Sequence, residues 1–366
     1  MVKLMPFEKI IGQNNVKEIL ARSLKRKRIP HALLFYGGEG VGKEAVALEL
    51  ARSIICQQDE SFACGVCADC ERISRLTHPD VIFLFPQTAA ASDDEKRRIM
   101  ESIAADPYMR LQPWANPSIS IDQIRALKRT ASMSTLENKG RVVIISDAHR
   151  MTVEAANSLL KILEEPHEGM TIILTSSQHN LLLPTIISRC QLLRFEPLSW
   201  QDIHAALMAR KDIAEAKSQL AAKLSTGNFR RALALLDEDL DRKRSLVLDV
   251  LRSVIRDDLT RIEMVEQLVK GEGKKSVKDL LELMLLWFRD VMLLQDGGRD
   301  NDYLVNIDQL DTLEKFCAAF EEIDVSGIVT DVERAIQLID RNVYLNLILI
   351  NLFYKLKSNL RRVVNA

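Results

Sequence analysis

A glycine-rich loop at residues 37–44 constrains the fold of this chain more than any other part of its sequence. The loop reads Gly-Gly-Glu-Gly-Val-Gly-Lys-Glu and stands between an apolar run at residues 32–36 and a helical pattern of apolar residues. A strand followed by such a loop and a helix N-terminus is the context of a phosphate-binding loop, in which backbone N–H groups and a lysine meet the phosphates. The predicted phosphate ligands are Gly37, Gly40, Gly42 and Lys43.

Two positions that would hold magnesium in an active ATPase carry other residues. Glu44 replaces a Ser or Thr hydroxyl, and its carboxylate would repel the β- and γ-phosphates unless a cation lay between them. A second interpretation is that Glu44 points to solvent, as an acidic residue favoured in a first helical turn. The run at 142–145 leads into Ser146-Asp147 instead of an Asp-Glu pair, so Asp147 is the surviving carboxylate. We therefore expect weak or absent ATP hydrolysis and no reliable magnesium site, while binding of ATP or ADP stays open.

Short apolar runs separated by helical patterns organise the first half of the chain. Strands that alternate with helices favour parallel crossovers, and strands buried on both faces are apolar almost throughout. We therefore predict an α/β fold, a P-loop domain whose parallel sheet has helices on both faces. The predicted strands are residues 32–36, 81–84, 118–121, 142–145 and 171–174.

Beyond residues 195–198 the pattern becomes helical, which predicts a domain boundary near Pro197. A short three-helix segment follows, and longer amphipathic helices begin near residue 243. The weakly patterned stretch 87–117 is interpreted as an insertion or a mobile loop. The predicted domains are residues 1–196, 197–242 and 243–366.

Four of the six cysteines form a cluster in the sequence. Two successive gaps of two residues, with a fourth thiol upstream, suit a structural zinc site with four thiolate ligands, because short turns aim the sulfurs at one centre. The polar and small residues between them argue against a buried apolar core. The predicted zinc ligands are Cys56, Cys64, Cys67 and Cys70, and the remote Cys190 and Cys317 are not expected to take part.

Composition restricts the function only weakly. The 50 basic and 51 acidic residues leave a formal charge of -1, so no global field marks a nucleic-acid binder. No apolar run reaches the roughly 18 residues that span a bilayer, and the N-terminus lacks a signal-peptide pattern. We therefore expect a cytoplasmic protein with no membrane partner, in which clustered thiols are metal ligands and not disulfides.

Four segments carry a resemblance to a known family. They are Phe-Glu-Lys-Ile-Ile-Gly-Gln at 7–13, His-Ala-Leu-Leu-Phe at 31–35, the segment 157–166 ending in Leu-Glu-Glu-Pro, and Ser-Arg-Cys at 188–190. Together they resemble bacterial clamp-loader subunits of the AAA+ class, strongly up to about residue 235. The loss of magnesium ligands is more like the non-motor delta-prime type of DNA polymerase III than the gamma/tau ATPase, which is the alternative.

The resemblance implies roles for several residues. Arg189 of the Ser-Arg-Cys triplet resembles an arginine finger that acts in trans on a neighbour's ATP, where its planar charged fork would stabilise the developing phosphate charge. Thr175 matches a γ-phosphate sensor, although an ordinary strand-end turn is an alternative. Arg230 matches a lid arginine that contacts the phosphates of its own subunit.

The resemblance also implies an architecture and partners. A small three-helix lid at 197–242 and a helical collar at 243–366 would join the chain to gamma/tau and delta subunits in a ring, as part of the polymerase holoenzyme. The ring would load the sliding clamp on primed DNA. The basic run Lys25–Arg28 is interpreted as a solvated helix end or, alternatively, as a DNA-phosphate contact. A further alternative is a zinc-knuckle nucleic-acid-binding protein with a vestigial nucleotide fold.

Overall fold

The computed structural model describes most of the chain, with short gaps. The described residues are 7–56, 58, 62–109, 113–131, 140–210, 213–237, 239–297, 304–320 and 323–360. By compactness the chain divides into two units, Met1–Ile213 with Ser225–Leu233, and Ala214–Leu224 with Ala234–Ala366. None of the described helices combines the length and the apolar character needed to cross a lipid bilayer.

The first unit is built on a five-stranded sheet in which every pair of neighbouring strands is parallel. The strand order is β2-β3-β4-β1-β5, so the strand that leads into the glycine-rich loop lies between β4 and β5. The strands are β1 (Ala32–Gly37), β2 (Val81–Leu84), β3 (Arg141–Ile145), β4 (Met170–Ser176) and β5 (Gln191–Phe195).

Helices precede, connect and follow these strands. Those up to the end of the first unit's main segment are α1 (Asn14–Lys25), α2 (Lys43–Ile55), α3 (Ala68–Ser74), α4 (Asp93–Ala105), α5 (Ile121–Ala131), α6 (Val153–Glu164), α7 (Pro184–Ile187) and α8 (Trp200–Met208). The remaining helices are α9 (Glu215–Leu224), α10 (Phe229–Leu236), α11 (Leu240–Ile255), α12 (Asp258–Gly271), α13 (Lys274–Gln295), α14 (Leu310–Ala319), α15 (Val325–Asp340) and α16 (Leu345–Asn359).

Apolar side chains cover both faces of the central strands, which explains why these strands read as continuous apolar runs. On one face Leu34 and Ile172 belong to a buried cluster with residues of α5 and α6, such as Ile124 and Leu159. Helix α2 contacts β1, β3 and β4. The predicted α/β class, with a parallel sheet between helices, is therefore confirmed.

Two of the local predictions were wrong. Residues 118–121 form no strand: Ser118 and Ile119 make only isolated bridges, and Ile121 already begins α5. The stretch 87–117 is not a loop throughout, because it contains the 13-residue helix α4, and its interpretation as an insertion stays a prediction. This helix begins with a capping box, in which the Ser92 side chain accepts from the backbone of Glu95 and the Glu95 side chain accepts from the backbone of Ser92.

The second unit is helical. Its helices α11 and α13 are joined to the segment before α14 by polar contacts in which Arg244 and Asp290 are buried. Asp290, which is fully buried, accepts hydrogen bonds from the backbone of Val305 and Asn306, and Arg244 donates to both carboxylate oxygens of Asp308 at 2.7 and 2.9 Å. These bonds satisfy charges that would otherwise be costly to bury.

The three helices expected between residues 197 and 242 are present as α8, α9 and α10. The compact units group α9 with the C-terminal helices, and the division between the units crosses α10 after Leu233. The division into domains at 1–196, 197–242 and 243–366 therefore stays a prediction.

A buried ion pair joins the starts of the neighbouring strands β2 and β3. Arg141, at the start of β3, lies 3.2 Å from Asp80, which stands just before β2, and their side chains are 6% and 2% exposed. Arg141 also donates to the backbone oxygen of Thr130 at the end of α5. Removal of one partner of such a pair leaves the other charge buried without compensation.

Asp80→Ala is therefore expected to destabilise the protein by about 3 to 5 kcal/mol. The matched control is Asp94→Ala, because Asp94 pairs with Arg97 on the exposed face of α4, where side chains are 75% and 69% exposed. Urea denaturation followed by circular dichroism measures both. Equal midpoints for the two variants would contradict the role given to the buried pair.

Candidate phosphate-loop and metal sites

The glycine-rich loop connects the end of β1 to the first residue of α2, as the sequence predicts. Gly40 and Gly42 have φ values of +65° and +96°, a region that side chains with a β-carbon rarely adopt. Gly40 is also crowded, since a β-carbon there would lie 1.9 Å from Oδ1 of Asn228. The backbone therefore requires glycine at both positions, and the loop turns toward the N-terminus of α2.

Lys43 lies inside its own loop. Its Nζ donates to the backbone oxygen of Gly37 at 3.0 Å and to that of Gly38, and the residue is 3% exposed. Burial lowers the pKa of Lys43, and this effect is opposed by the nearby carboxylates of Glu44, Asp147 and Glu39. The lysine thus closes the loop at its Gly37–Gly38 end.

Glu44 faces the carboxyl ends of two neighbouring strands. Its Oε1 accepts a hydrogen bond from Ser146 Oγ at 2.9 Å and another from Thr175 Oγ1 at 2.8 Å. Ser146 follows β3, Thr175 lies at the end of β4, and both residues are fully buried. Neither sequence interpretation of Glu44 anticipated this arrangement, in which the carboxylate satisfies two buried hydroxyls of its own chain.

The remaining acidic and sensor positions join the same network. Asp147 has left-handed backbone angles, and its N–H donates to Thr175 Oγ1 at 3.2 Å. Arg230 lies beside the loop, since a β-carbon on Gly40 would lie 3.1 Å from its backbone nitrogen, and its Nε donates to the backbone oxygen of Tyr108 at 3.2 Å. The charge of Arg230 contributes to lowering the pKa of Lys43. The structure therefore brings Lys43, Glu44, Asp147, Thr175 and Arg230 to one edge of the sheet. Sequence reasoning missed Ser146 and Tyr108 as members of this site.

Arg189 lies at the opposite edge of the sheet, which is formed by the amino ends of the strands. It stands two residues before β5, whose first residue, Gln191, pairs with Leu33 near the start of β1. The loop follows the other end of β1. At about 3.3 Å per residue, a five-residue strand separates the two edges by roughly 17 Å. Arg189 is therefore not part of the site formed by its own loop.

The Arg189 side chain is held in place yet partly open to solvent. Its guanidinium lies 2.7 Å from the carboxylate of Glu164 at the end of α6, and it donates to the backbone oxygen of Thr185 at 3.0 Å. The side chains of Arg189 and Glu164 are 35% and 47% exposed. An arginine with this exposure can still be reached by a second molecule.

The four clustered cysteines converge on one point. Their sulfur atoms all lie within 4.8 Å of one another, with 4.0 Å between Cys56 and Cys67 and 3.9 Å between Cys64 and Cys70. Four thiolates around a tetrahedral zinc at about 2.3 Å would be about 3.8 Å apart. A disulfide would require about 2.0 Å. The cluster thus has the spacing of a four-sulfur metal site.

Backbone N–H groups support the sulfurs as they would support thiolate ligands. The N–H groups of Cys64 and Cys67 each donate to the sulfur of an earlier member of the cluster at 3.3 Å, and that of Cys70 donates to Cys67 at 3.5 Å. Burial raises the pKa of Cys70, so without a cation this thiol is protonated. Cys56 directly follows α2 as its C-cap, so the cluster lies at the opposite end of this helix from the phosphate loop.

Comparisons of the sequence with known proteins find subunits of DNA polymerase III. Residues 12–199 match the family model described as DNA polymerase III, delta subunit. The DNA polymerase III subunit delta′ of Bacillus subtilis is 32% identical over 79% of this chain and 79% of its own length, and that of Pseudomonas aeruginosa is 31% identical over 72% and 71%. The subunit tau of B. subtilis is 28% identical over 78% of this chain, which spans half of tau's length.

Removal of the Glu44 carboxylate should destabilise the protein, because it takes away the acceptor of two hydrogen bonds from the buried hydroxyls of Ser146 and Thr175. We expect Glu44→Ala to cost about 2 kcal/mol in free energy of unfolding, and Glu44→Gln less, since the amide oxygen still accepts. The control is Glu39→Ala on the exposed part of the same loop, expected within about 0.5 kcal/mol of wild type. Urea denaturation checks this, and a Glu44→Ala variant as stable as Glu39→Ala would refute it.

Proposed function

Because this chain belongs to the DNA polymerase III delta-subunit family, we propose that it is a non-motor, delta-prime-like subunit of a clamp loader. In this role it helps to form the ring that loads the sliding clamp on primed DNA in the cytoplasm, together with gamma/tau and delta subunits. It contributes Arg189 to the ATP site of a neighbouring subunit, while its own loop does little or no hydrolysis.

The observation that carries this proposal is the state of Glu44. In an active site of this class, the residue after the loop lysine and the acidic pair after β3 would hold magnesium. Here Glu44 accepts hydrogen bonds from Ser146 and Thr175, so these side chains bond to one another at the place where the metal would lie. Position 44 therefore offers no hydroxyl to a metal, and Asp147 is preceded by Ser146 and followed by Ala148, so no second acidic residue stands beside it.

The position of Arg189 supports an action in trans. It is separated from its own loop by the length of the sheet, it is partly exposed, and Glu164 and Thr185 hold its guanidinium. An arginine that reaches a neighbour's γ-phosphate must be both accessible and oriented, because its planar fork stabilises charge only in a defined geometry.

An exposed apolar surface on the second unit supports assembly with other subunits. Helix α16 buries one side and leaves Leu347 64% and Tyr354 51% exposed, and the adjacent helix α12 leaves Leu259 67% exposed. Apolar side chains grouped in this way mark protein interfaces in soluble proteins. We assign this surface to the helical collar that would join the subunits.

The four-cysteine cluster is proposed to bind zinc in a structural role. All four ligands are thiolates, so no position remains for a water or a substrate, and zinc prefers this ligand set in a tetrahedron. The ion would fasten the start of α3 to the end of α2. No catalytic step is assigned to it.

The decisive test of the arginine finger is Arg189→Ala in a reconstituted complex with gamma/tau and delta subunits. We expect the DNA- and clamp-stimulated ATPase rate of the shared site to fall by about 10³-fold, at the lower end of arginine-finger effects. Arg194→Ala is the matched control, because Arg194 lies on β5 and is 67% exposed in a pair with Glu196. If Arg189→Ala and Arg194→Ala complexes hydrolyse ATP equally fast, the finger assignment is wrong.

The same complex separates this proposal from the alternative of an active gamma/tau-type ATPase, which the 28% identity to tau and the retained Lys43 favour. Lys43→Ala should leave the ATPase rate of the complex unchanged, and the purified chain should show no magnesium-dependent turnover. Turnover by the purified chain that Lys43→Ala abolishes would establish the alternative.

Zinc content is checked by elemental analysis of the purified chain. We expect about one zinc per chain, and Cys67→Ser should lose the ion and lower the thermal unfolding midpoint, because one of four ligands is gone. Cys317→Ser is the control, since Cys317 lies in α14 outside the cluster. Equal zinc content in the two variants would exclude the cluster as the site.

A further inference from the structure

The Gly42 end of the phosphate loop is filled by Tyr108. This residue is 3% exposed, and a β-carbon on Gly42 would lie 2.9 Å from both its ring and its hydroxyl oxygen. The hydroxyl accepts a hydrogen bond from the backbone N–H of Ile11 at 2.9 Å. The phenol thus spans from the N-terminal segment to the last glycine of the loop.

Aromatic and cationic groups surround the same ring. Phe229 packs edge-on against it with ring centroids 5.2 Å apart, and the Arg210 guanidinium lies 5.5 Å from the centre of the Tyr108 ring and 4.7 Å from that of Phe229. Such contacts add to the energy of apolar burial. They are also the contacts by which proteins bind flat aromatic ligands.

A turn of the chain fixes Tyr108 in this place. The Asp106 carboxylate accepts from the Tyr108 backbone N–H at 3.0 Å and forms an ion pair with Arg210. Arg230 donates to the Tyr108 backbone oxygen at 3.2 Å. Burial raises the pKa of Tyr108 to about 12, so the phenol is neutral at physiological pH.

The orientation of the loop indicates which part of a nucleotide would lie at its Gly42 end. In phosphate loops the lysine meets the outer phosphates, and Lys43 Nζ lies at the Gly37–Gly38 end. The sugar and base of a bound nucleotide must therefore extend from the other end, at Gly42. That space holds the Tyr108 ring, between the Ile11 N–H and the Phe229 ring.

We propose that the Gly42 end of the loop is a nucleoside site whose permanent occupant is the side chain of Tyr108. The Tyr108 side chain acts as a built-in aromatic ligand that closes the site to nucleotides. It also connects the loop to residues 225–233 when no nucleotide is bound. Removal of the phenol opens a site for a purine nucleoside or for a free phenol. The inference goes beyond the proposed function, because it holds whether or not Arg189 acts on a neighbour.

The test uses the full-length Tyr108→Ala chain with ADP and with p-cresol, which is the tyrosine side chain as a free molecule. We expect Tyr108→Ala to bind ADP about tenfold or more tightly than wild type does, and to bind p-cresol in competition with ADP, since the space left by the phenol admits a matching aromatic molecule. Tyr354→Ala is the control, because Tyr354 is half exposed on α16 and its removal encloses no cavity. Calorimetry measures the affinities.

The proposal is overturned if wild type and Tyr108→Ala bind ADP equally well, or if ADP and p-cresol bind the variant without competing. Should Tyr108→Ala not fold, binding to the wild-type chain still tests the proposal. With the base site closed, wild type should bind ADP no more tightly than inorganic pyrophosphate, and a preference for ADP of about tenfold or more would overturn the proposal. Neither result depends on the ATPase rate of an assembled complex, so failure here is distinct from failure of the arginine finger.

Discussion

The parallel pairing of β1 with β4 is the constraint on which the candidate site depends. It places Phe35 opposite Thr175 and Tyr36 opposite Ser176, so the glycine-rich loop and the polar end of β4 leave the sheet at the same edge. Because β3 pairs with β4 on its other side, Ser146 emerges at that edge too. Glu44, one residue into α2, then has two hydroxyl donors within reach. In an active ATPase this meeting point would hold a cation. Here a carboxylate and two hydroxyls fill it with hydrogen bonds.

The central strands were predictable from sequence because burial on both faces makes them continuous apolar runs. The edge strand β5 was not, since only Leu193 and Phe195 of its five residues are buried and the others are exposed. Residues 118–121 were mistaken for a strand because β-branched residues also occur where a chain enters a helix. The signal for α4 was present, as Ser92 and Glu95 have the spacing of a capping box, but three prolines nearby obscured it.

The site residues were predictable where their type and spacing indicate one kind of chemistry. They were less predictable where the tertiary structure determines what a side chain contacts. Sequence spacing alone indicates the roles of Gly40, Gly42, Lys43 and the four cysteines. The direction of the Glu44 side chain depends on which strands lie beside β1, and that order comes from tertiary pairing. Tyr108 could not be identified from sequence, since it reaches the loop through a turn after α4 and has no fixed distance along the chain from Gly42.

The carboxyl and amino edges of the sheet have opposite characters. At the carboxyl edge, charged and polar groups are satisfied within the chain: Lys43 by loop carbonyls, Glu44 by hydroxyls, Arg230 by the carbonyl of Tyr108. A loop held in this way needs no phosphate or metal to keep its shape. At the amino edge, Arg189 keeps a third of its side chain in solvent. A partner gains most from a group that is accessible on a rigid support, because little order must be imposed when it binds. Under the proposed function, Glu164 and the backbone oxygen of Thr185 provide that support for Arg189.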